Sequence, residues 1–202
     1  MVDLNTVSRS EEGDYARIGQ VYETMVASGE STNFSADNRK WMKEYLGKVK
    51  NCKAILEIGV ENNVDKSLSS TRVILDNKDD STIFIGVDLE SRSHLDSTEK
   101  NIYTIQTSSS NIQQVMDFAR SKGVTEFDFI HIDGWHSIDQ CIIEFDGYTP
   151  FLSKDGIVAF HDTNHHWGPM WLVEKTDRSV WEVVNHPGDV ERDFGIGFAW
   201  RK

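Results

Sequence analysis

Ala54-Ile-Leu-Glu-Ile-Gly-Val60 carries apolar side chains on both faces of an extended chain and closes through a glycine. A strand buried on both faces belongs in a parallel sheet covered by helices, because a sheet with one wet face would alternate apolar and polar residues. The same signature recurs at Thr82–Leu89 (TIFIGVDL), Asn101–Gln106 (NIYTIQ), Phe127–Asp133 (FDFIHID) and Gly156–Asp162 (GIVAFHD). Between these runs lie stretches with helical spacing of apolar residues, at Ser67–Leu75, Asn111–Ser121 and Ser137–Phe151. Strand and helix in this alternation imply right-handed crossovers and an α/β fold with a doubly wound, mostly parallel sheet.

Both ends of the chain depart from that rhythm. Trp181–Asn185 and Gly195–Trp200 are β-rich and joined through His186-Pro-Gly-Asp-Val190, which predicts a closing antiparallel hairpin and brings the strand count to seven. At the other end, Tyr15, Ile18, Val21, Tyr22, Met25 and Val26 recur at three and four, predicting a helix over Glu11–Ser28. Ser35 is placed to cap a second helix with Trp41, Met42, Tyr45, Leu46 and Val49 as its apolar stripe. With three prolines and no Gly/Ser-rich spacer, the expectation is a helical cap over residues 1–50 on one compact α/β unit over 51–202.

The 202 residues suffice for one well-filled core. Lys and Arg number 21 against 33 Asp and Glu, and the resulting charge of −12 repels phosphate backbones. The densest basic stretch, Arg39–Lys53, has the spacing of a solvated helix face and its exit, so nucleic acid is excluded as a general partner. Cys52 and Cys141 lie in apolar surroundings and are too few for a disulfide framework. No apolar run approaches the ~18 residues of a membrane span, and the start MVDLNTVSRSEEGD lacks a signal-peptide core. The expectation is a cytoplasmic protein with no membrane partner.

In an open α/β sheet, ligands bind beyond the carboxyl ends of the strands, so chemistry is sought there. Gly59 ends the first run and Asp88 the second, a pairing that suits a nucleoside held by its ribose hydroxyls. The G-x-G-x-x-G that cradles a pyrophosphate is absent, which favours a nucleoside cofactor without one. Two later strand ends, Phe127–His136 and Phe160–His166, hold five of the seven histidines. On neighbouring strands Asp133 and Asp162 would lie close enough to share a hard divalent cation. Each acid alone also fits a local role, Asp133 in a tight turn with Gly134 and Asp162 as a cap. His136, three residues beyond Asp133, suits a general base or a plain surface histidine. His131 reads as a core histidine, and the adjacent His165 and His166 as solvent-facing. Trp135, Trp167 and Trp171 are candidates for a pocket wall, and Trp181 and Trp200 for the core.

These features resemble a class I S-adenosylmethionine-dependent methyltransferase. The likeness runs from about Lys53 to Trp200 and is closest to small catechol-type and antibiotic-sugar O-methyltransferases, including the branch named after cephalosporin hydroxylation. Its most specific stretch is Phe127–Thr163, where FDFIHIDGWHS, a helix and FLSKDGIVAFHDT follow the family's layout. The resemblance implies a Rossmann-like sheet, with Glu57 and Gly59 along the methionine part of S-adenosyl-L-methionine, Asp88 on its ribose, and Ser108 and Ser109 beside its adenine. It implies Mg²⁺ on Asp133 and Asp162, with His161 or Thr163 at the position of a further ligand, and His136 as the base. The glycine-rich turn departs from the family pattern at Glu61 and Asn63, which leaves Asn62 or Asn63 to adopt the left-handed backbone. The segment Val64–Ser70 is enlarged.

The resulting expectation is a metal-assisted O-methyltransferase for a small hydroxylated acceptor, a sugar or glycan ahead of a catechol. The N-terminal helices would then cover the cofactor or form a homo-oligomer surface. Two other readings compete. His131-x-Asp133 with a distant histidine imitates the facial triad of an Fe(II)/2-oxoglutarate oxygenase, whose chemistry belongs to a jelly roll. The altered glycine turn fits a degenerate methyltransferase fold kept as a binding or assembly subunit.

Overall fold

Strands β1 (Ala54–Ile58), β2 (Ile83–Asp88), β3 (Ile102–Gln106), β4 (Phe127–Ile132), β5 (Leu152–His161), β6 (Trp181–His186) and β7 (Ile196–Arg201) form one seven-stranded sheet in the order β3-β2-β1-β4-β5-β7-β6. The computed structural model describes residues 2–27, 34–63 and 65–202. β1 to β5 run parallel, while β7 pairs antiparallel with both β5 and β6. The Rossmann-like, doubly wound sheet with a C-terminal antiparallel hairpin is therefore present. From β1 the chain winds outward to β3, then crosses back to β4 on the other flank of β1. The strand order reverses there, and that reversal opens a crevice above the carboxyl ends of β1 and β4.

Successive residues of each inner strand feed opposite layers, as the period of two requires. Leu56, Ile58, Ile130 and Ile132 pack under α4 (Ile112–Ser121), α5 (Ile138–Tyr148) and α6 (Trp167–Lys175), against Met116, Phe145, Tyr148 and Leu172. Ile55, Phe84, Phe129 and Phe198 face the other way, onto Met42, Tyr45 and Leu46 of α2 (Ala36–Lys48) and Ile74 of α3 (Ser70–Asn77). Each fully buried aliphatic or phenyl group contributes about 1.5–3 kcal/mol, so a sheet filled on both faces holds the strand ends rigidly. Serine caps start three of the helices: Ser35, Ser69 and Ser137 accept from the amides of Asn38, Arg72 and Gln140.

The first helix, α1 (Tyr15–Ala27), lies apart from both layers and packs Ile18, Val21 and Met25 against Phe194. It begins later than Glu11 because Glu12, Gly13 and Asp14 join an extended contact, with Gly13 bridged to His166. The expected end at Ser28, the Val26 side chain and Val64 lie outside the described residues. The enlarged loop before α3 is a short 3₁₀ turn, Lys66–Leu68, so the helix starts at Ser70 rather than Ser67. β5 begins at Leu152, ahead of the expected Gly156, because Leu152 pairs with Phe127 before a register shift. Trp181 is buried and Trp200 half-buried against the core, as the sequence implies. Trp167 is not a cleft wall: it is buried with Leu4 and Ile138, and Trp171 packs on the same interior.

Candidate active site

A cleft of about 1150 Å³ lies over the carboxyl ends of β1, β2, β4 and β5. Gly59, Asp88, Ser108, Ser109, Asp133 and Gly134 floor it, while Tyr15, Ile18, Gly19 and Tyr22, one face of α1, form the opposite wall. The turn after β1 runs against the turn after β4: a Cβ on Gly59 would stand 2.0 Å from the Asp133 carbonyl oxygen. Gly59 also has φ +81, so no side chain fits there. The second left-handed residue of that turn is Glu61 at φ +52, not Asn62 or Asn63. Its amide donates to Thr71 Oγ1, and its carboxylate is drawn outward by His94 Nε2 at 2.7 Å and Lys66 Nζ at 3.3 Å. Those partners offset the cost of the backbone and neutralise the acid at the cleft edge.

At the β2 end, Asp88 Oδ2 accepts from the amide of Val60 and Oδ1 from that of Glu90, with Arg92 at 3.3 Å. Asp88 is thereby fixed on the cleft wall. Glu57 lies one layer lower and outside the lining: it is fully buried and accepts from Ser70 Oγ at 2.7 Å and His131 Nδ1 at 3.2 Å. His131 is thus a core histidine held through Nδ1, its buried Nε2 having no hydrogen-bond partner, and it belongs to no converging set of donor atoms with Asp133, so no facial triad forms among the described residues. Ser108 and Ser109 line the cleft, yet the Ser109 hydroxyl is committed to Glu144 at 2.6 Å. Burial pushes the Glu144 carboxyl up to about 7, although Ser109 and Gln140 donate to it.

The acids at the ends of β4 and β5 meet. Asp133 and Asp162 are 3% and 2% exposed, and one oxygen of each, Oδ1, has no hydrogen-bond partner. His136 Nε2 stands 2.9 Å from Asp162 Oδ2 and 3.7 Å from Asp133 Oδ1. On the far side, His161 Nδ1 is 3.0 Å from Asp162 and 3.4 Å from Asp133, while its Nε2 meets Asn38 Nδ2 at 2.9 Å. Burial disfavours every charge here, but mutual attraction outweighs it. His161 is raised to about 10 and His136 well above the ordinary imidazole value, while Asp133 is lowered and Asp162 held well below the carboxylate range. Asp162 adopts φ +63, a conformation whose strain commonly marks functional positions.

Ligand atoms of Asp133, His136 and Asp162 all lie within 4.8 Å of one another, a separation that a single cation spans. Two buried carboxylates whose Oδ1 atoms make no aligned hydrogen bond, the His161 ring being their ionic neighbour, suit a hard ion such as Mg²⁺. His161 touches both carboxylates but is not in that converging set.

A family described as "Methyltransferase domain" matches residues 26–163. The chain belongs to the methyltransferase-domain family. Among solved structures, an O-methyltransferase from Bacillus cereus in complex with SAH aligns at TM-score 0.56 and 16% identity, covering 94% of this chain and 92% of the other. The MycE methyltransferase of the mycinamycin biosynthetic pathway, in complex with Mg, SAH and mycinamycin VI, aligns at TM-score 0.54 and 16% identity over 83% of this chain. The chain spans about half of MycE, 49% of its length. No curated protein matches by sequence. At such identity, the likeness shows the methyltransferase fold.

Within this methyltransferase-domain chain, several groups at the site carry no strand-end signal in the sequence. Glu12 reaches His136 Nδ1 at 3.2 Å from the segment before α1. Asn38 comes from the N-terminal turn of α2, and Glu144 from α5, where an acid on the buried stripe with Cys141, Phe145 and Tyr148 was the available clue. His165 and His166 are buried rather than solvent-facing, at 1% and 7% exposure, because the segment carrying Glu12 lies over them. Of the three tryptophans proposed as walls, Trp135 alone lines the cleft.

Proposed function

We propose that the protein is an S-adenosylmethionine-dependent O-methyltransferase, assisted by a divalent metal, acting on a small hydroxylated acceptor with a sugar or glycan ahead of a catechol. The observation that carries this reading is the buried Asp133–Asp162 pair, with one oxygen of each making no hydrogen bond, beside His136 and at the floor of a cleft lined from Asp88 to α1. The complexes of the two structural neighbours, one with SAH and the other with Mg, SAH and mycinamycin VI, support it.

When bound, S-adenosylmethionine supplies an electrophilic methyl group and Mg²⁺ supplies positive charge that offsets the two carboxylates and lowers the pKa of an acceptor hydroxyl. Gly59 lets the turns after β1 and β4 close on one another at the floor of the cofactor's path, Asp88 offers acceptors for its ribose hydroxyls, and the Ser108–Ser109 turn borders its base. Glu12 accepts from Nδ1–H of His136, so in the neutral ring, which would form once a bound metal's charge displaces the second proton, Nε2 is the atom that takes the acceptor proton. Asp133 and Asp162 would hold the metal. Tyr15, Tyr22 and Trp135 are 64%, 48% and 58% exposed on the cleft rim, flat apolar surfaces suited to a ring-shaped acceptor. Of the N-terminal segment, α1 roofs the cleft, whereas α2 belongs to the helical layer packed on the sheet rather than to a separate cap. The compartment is proposed to be the cytoplasm; among the described residues no helix is long and apolar enough to cross a membrane.

Calorimetric titration with S-adenosylhomocysteine, with Mg²⁺ and after EDTA, tests the reading. Binding in the micromolar range that survives EDTA, followed by methyl transfer to a sugar or catechol acceptor in the presence of Mg²⁺, is the expected result. Absence of binding in both conditions would overturn the enzyme reading and leave a methyltransferase fold used for assembly.

A further inference from the structure

A second group of donors adjoins the carboxylate pair without belonging to it. Ligand atoms of Glu12, His136 and His166 lie within 4.8 Å of one another. Glu12 Oε1 is 3.2 Å from His136 Nδ1 and 3.8 Å from His166 Nδ1. Ligands bonded at ~2.05 Å in a tetrahedral zinc site stand roughly 3.3 Å apart, so these separations need little adjustment. His166 is 7% exposed and its Nδ1 has no hydrogen-bond partner, an orphaned donor atom aimed at Glu12.

The backbone builds this arrangement. Gly13 bridges His166, the amide of Trp167 donates to the Glu12 carbonyl at 2.9 Å, and that of Asp14 donates to the His165 carbonyl at 3.2 Å. A Cβ on Gly13 would fall 2.6 Å from the His165 carbonyl, so glycine is what lets Glu12 approach the histidines so closely. The two rings stand 4.3 Å apart, centroid to centroid.

We propose that Glu12, His136 and His166 form a second cation site, selective for a borderline transition ion such as Zn²⁺ or Co²⁺, whose occupation inhibits the enzyme. Two imidazoles and one carboxylate favour such an ion over Mg²⁺, which prefers oxygen ligands. The inhibition follows from the two ring nitrogens of His136. With Glu12 as the partner of Nδ1, the neutral ring that serves as base keeps its one proton on Nδ1 and its lone pair on Nε2. An ion on Nδ1 takes that nitrogen's lone pair and leaves the proton on Nε2, so the ring facing the acceptor becomes a donor and no longer a base. Ion binding is independent of the methyltransferase reading, whereas the inhibition rests on it.

The test is titration of the full chain with Co²⁺ in excess Mg²⁺, followed by the visible absorption of the bound ion. One Co²⁺ per chain, displaced by Zn²⁺, is expected. His166→Gln and Glu12→Gln should each weaken binding at least about tenfold, with SAH affinity checking their folding. Asp162→Asn should retain the band. Co²⁺ bound equally well by His166→Gln and Glu12→Gln, or lost on Asp162→Asn alone, would overturn the site by placing the ion on the carboxylate pair; no Co²⁺ binding would overturn it outright. In an active preparation, Zn²⁺ should inhibit transfer, and unimpaired transfer with the site filled would overturn the inhibition. A Co²⁺ band without any SAH binding would sink the methyltransferase reading and leave the ion site standing.

Discussion

Nε2 of His136 lies 2.9 Å from Oδ2 of Asp162, joining the loop after β4 to the left-handed end of β5. Since β4 and β5 are paired neighbours, with Ile132 opposite Phe160, the next residues bring Asp133 beside His161 and Asp162 one step beyond. Two acids and two imidazoles thus share a buried space. The charges are balanced only while both rings are protonated, which makes the cluster a poor base by itself and a receptive site for a cation.

Asp133→Ala removes one arm of that space while leaving Gly59 and Asp88 in place. Methyl transfer should fall to background and Mg²⁺ affinity should collapse, with SAH affinity nearly unchanged by calorimetry. Full activity in the variant would rule out the metal role.

Because His136 is raised well above its ordinary value and His161 to about 10, both rings are protonated at neutral pH without metal. These raised values stabilise the fold fully below about pH 6.5, and the stabilisation is lost as pH rises through the folded values. A divalent ion opposes the same protons, so Mg²⁺ binding should release them and tighten between about pH 7 and about pH 9. Calorimetry in buffers of different ionisation enthalpy counts the protons; a pH-independent affinity would contradict the charge balance argued here.

Gly59→Ala should be severely destabilising. The added methyl would meet the Asp133 carbonyl at 2.0 Å, and φ +81 costs a non-glycine residue roughly 1–2 kcal/mol before any clash. Relief requires β1 and β4 to part at the site, so a loss of at least about 3 kcal/mol in urea unfolding is expected, together with loss of SAH binding. Gly19→Ala on α1, where a Cβ meets nothing within 4 Å, is the control and should leave stability unchanged or raised.

The sheet was readable because its information is local: each inner strand announces itself by an apolar run, and the acids that matter close those runs. Gly59, Asp88, Asp133 and Asp162 were found by that rule. Glu12, Asn38 and Glu144 were not, because tertiary contact alone brings a pre-helical segment, a helix start and a buried helix face to the strand ends. The same segment buries His165 and His166, whose adjacency in sequence implies exposure, because Gly13 bridges one of them. The glycine turn misled for a related reason: Glu61 tolerates φ +52 because His94 and Lys66, remote from any turn signature, hold its carboxylate.

Glu144 gives the most direct test of the cleft's electrostatics. It is fully buried under Gly134 and Ser109, one of its oxygens has no partner, and burial raises it to about 7. An acid whose folded value exceeds its unfolded value is neutral in the fold at low pH and must ionise in place as pH rises. The native state therefore loses stability from about pH 4.5 upward and levels off above about 7, a loss on the order of 3 kcal/mol. Glu144→Gln keeps an oxygen for Ser109 and Gln140 but cannot ionise. Any fixed cost of its amide protons applies equally at all pH values, so the comparison lies in the slope. Between about pH 5 and about pH 8, wild type should lose up to ~3 kcal/mol more than Glu144→Gln in urea unfolding. Parallel curves would mean that Glu144 stays ionised throughout, with water or a ligand group satisfying the oxygen that here stands alone.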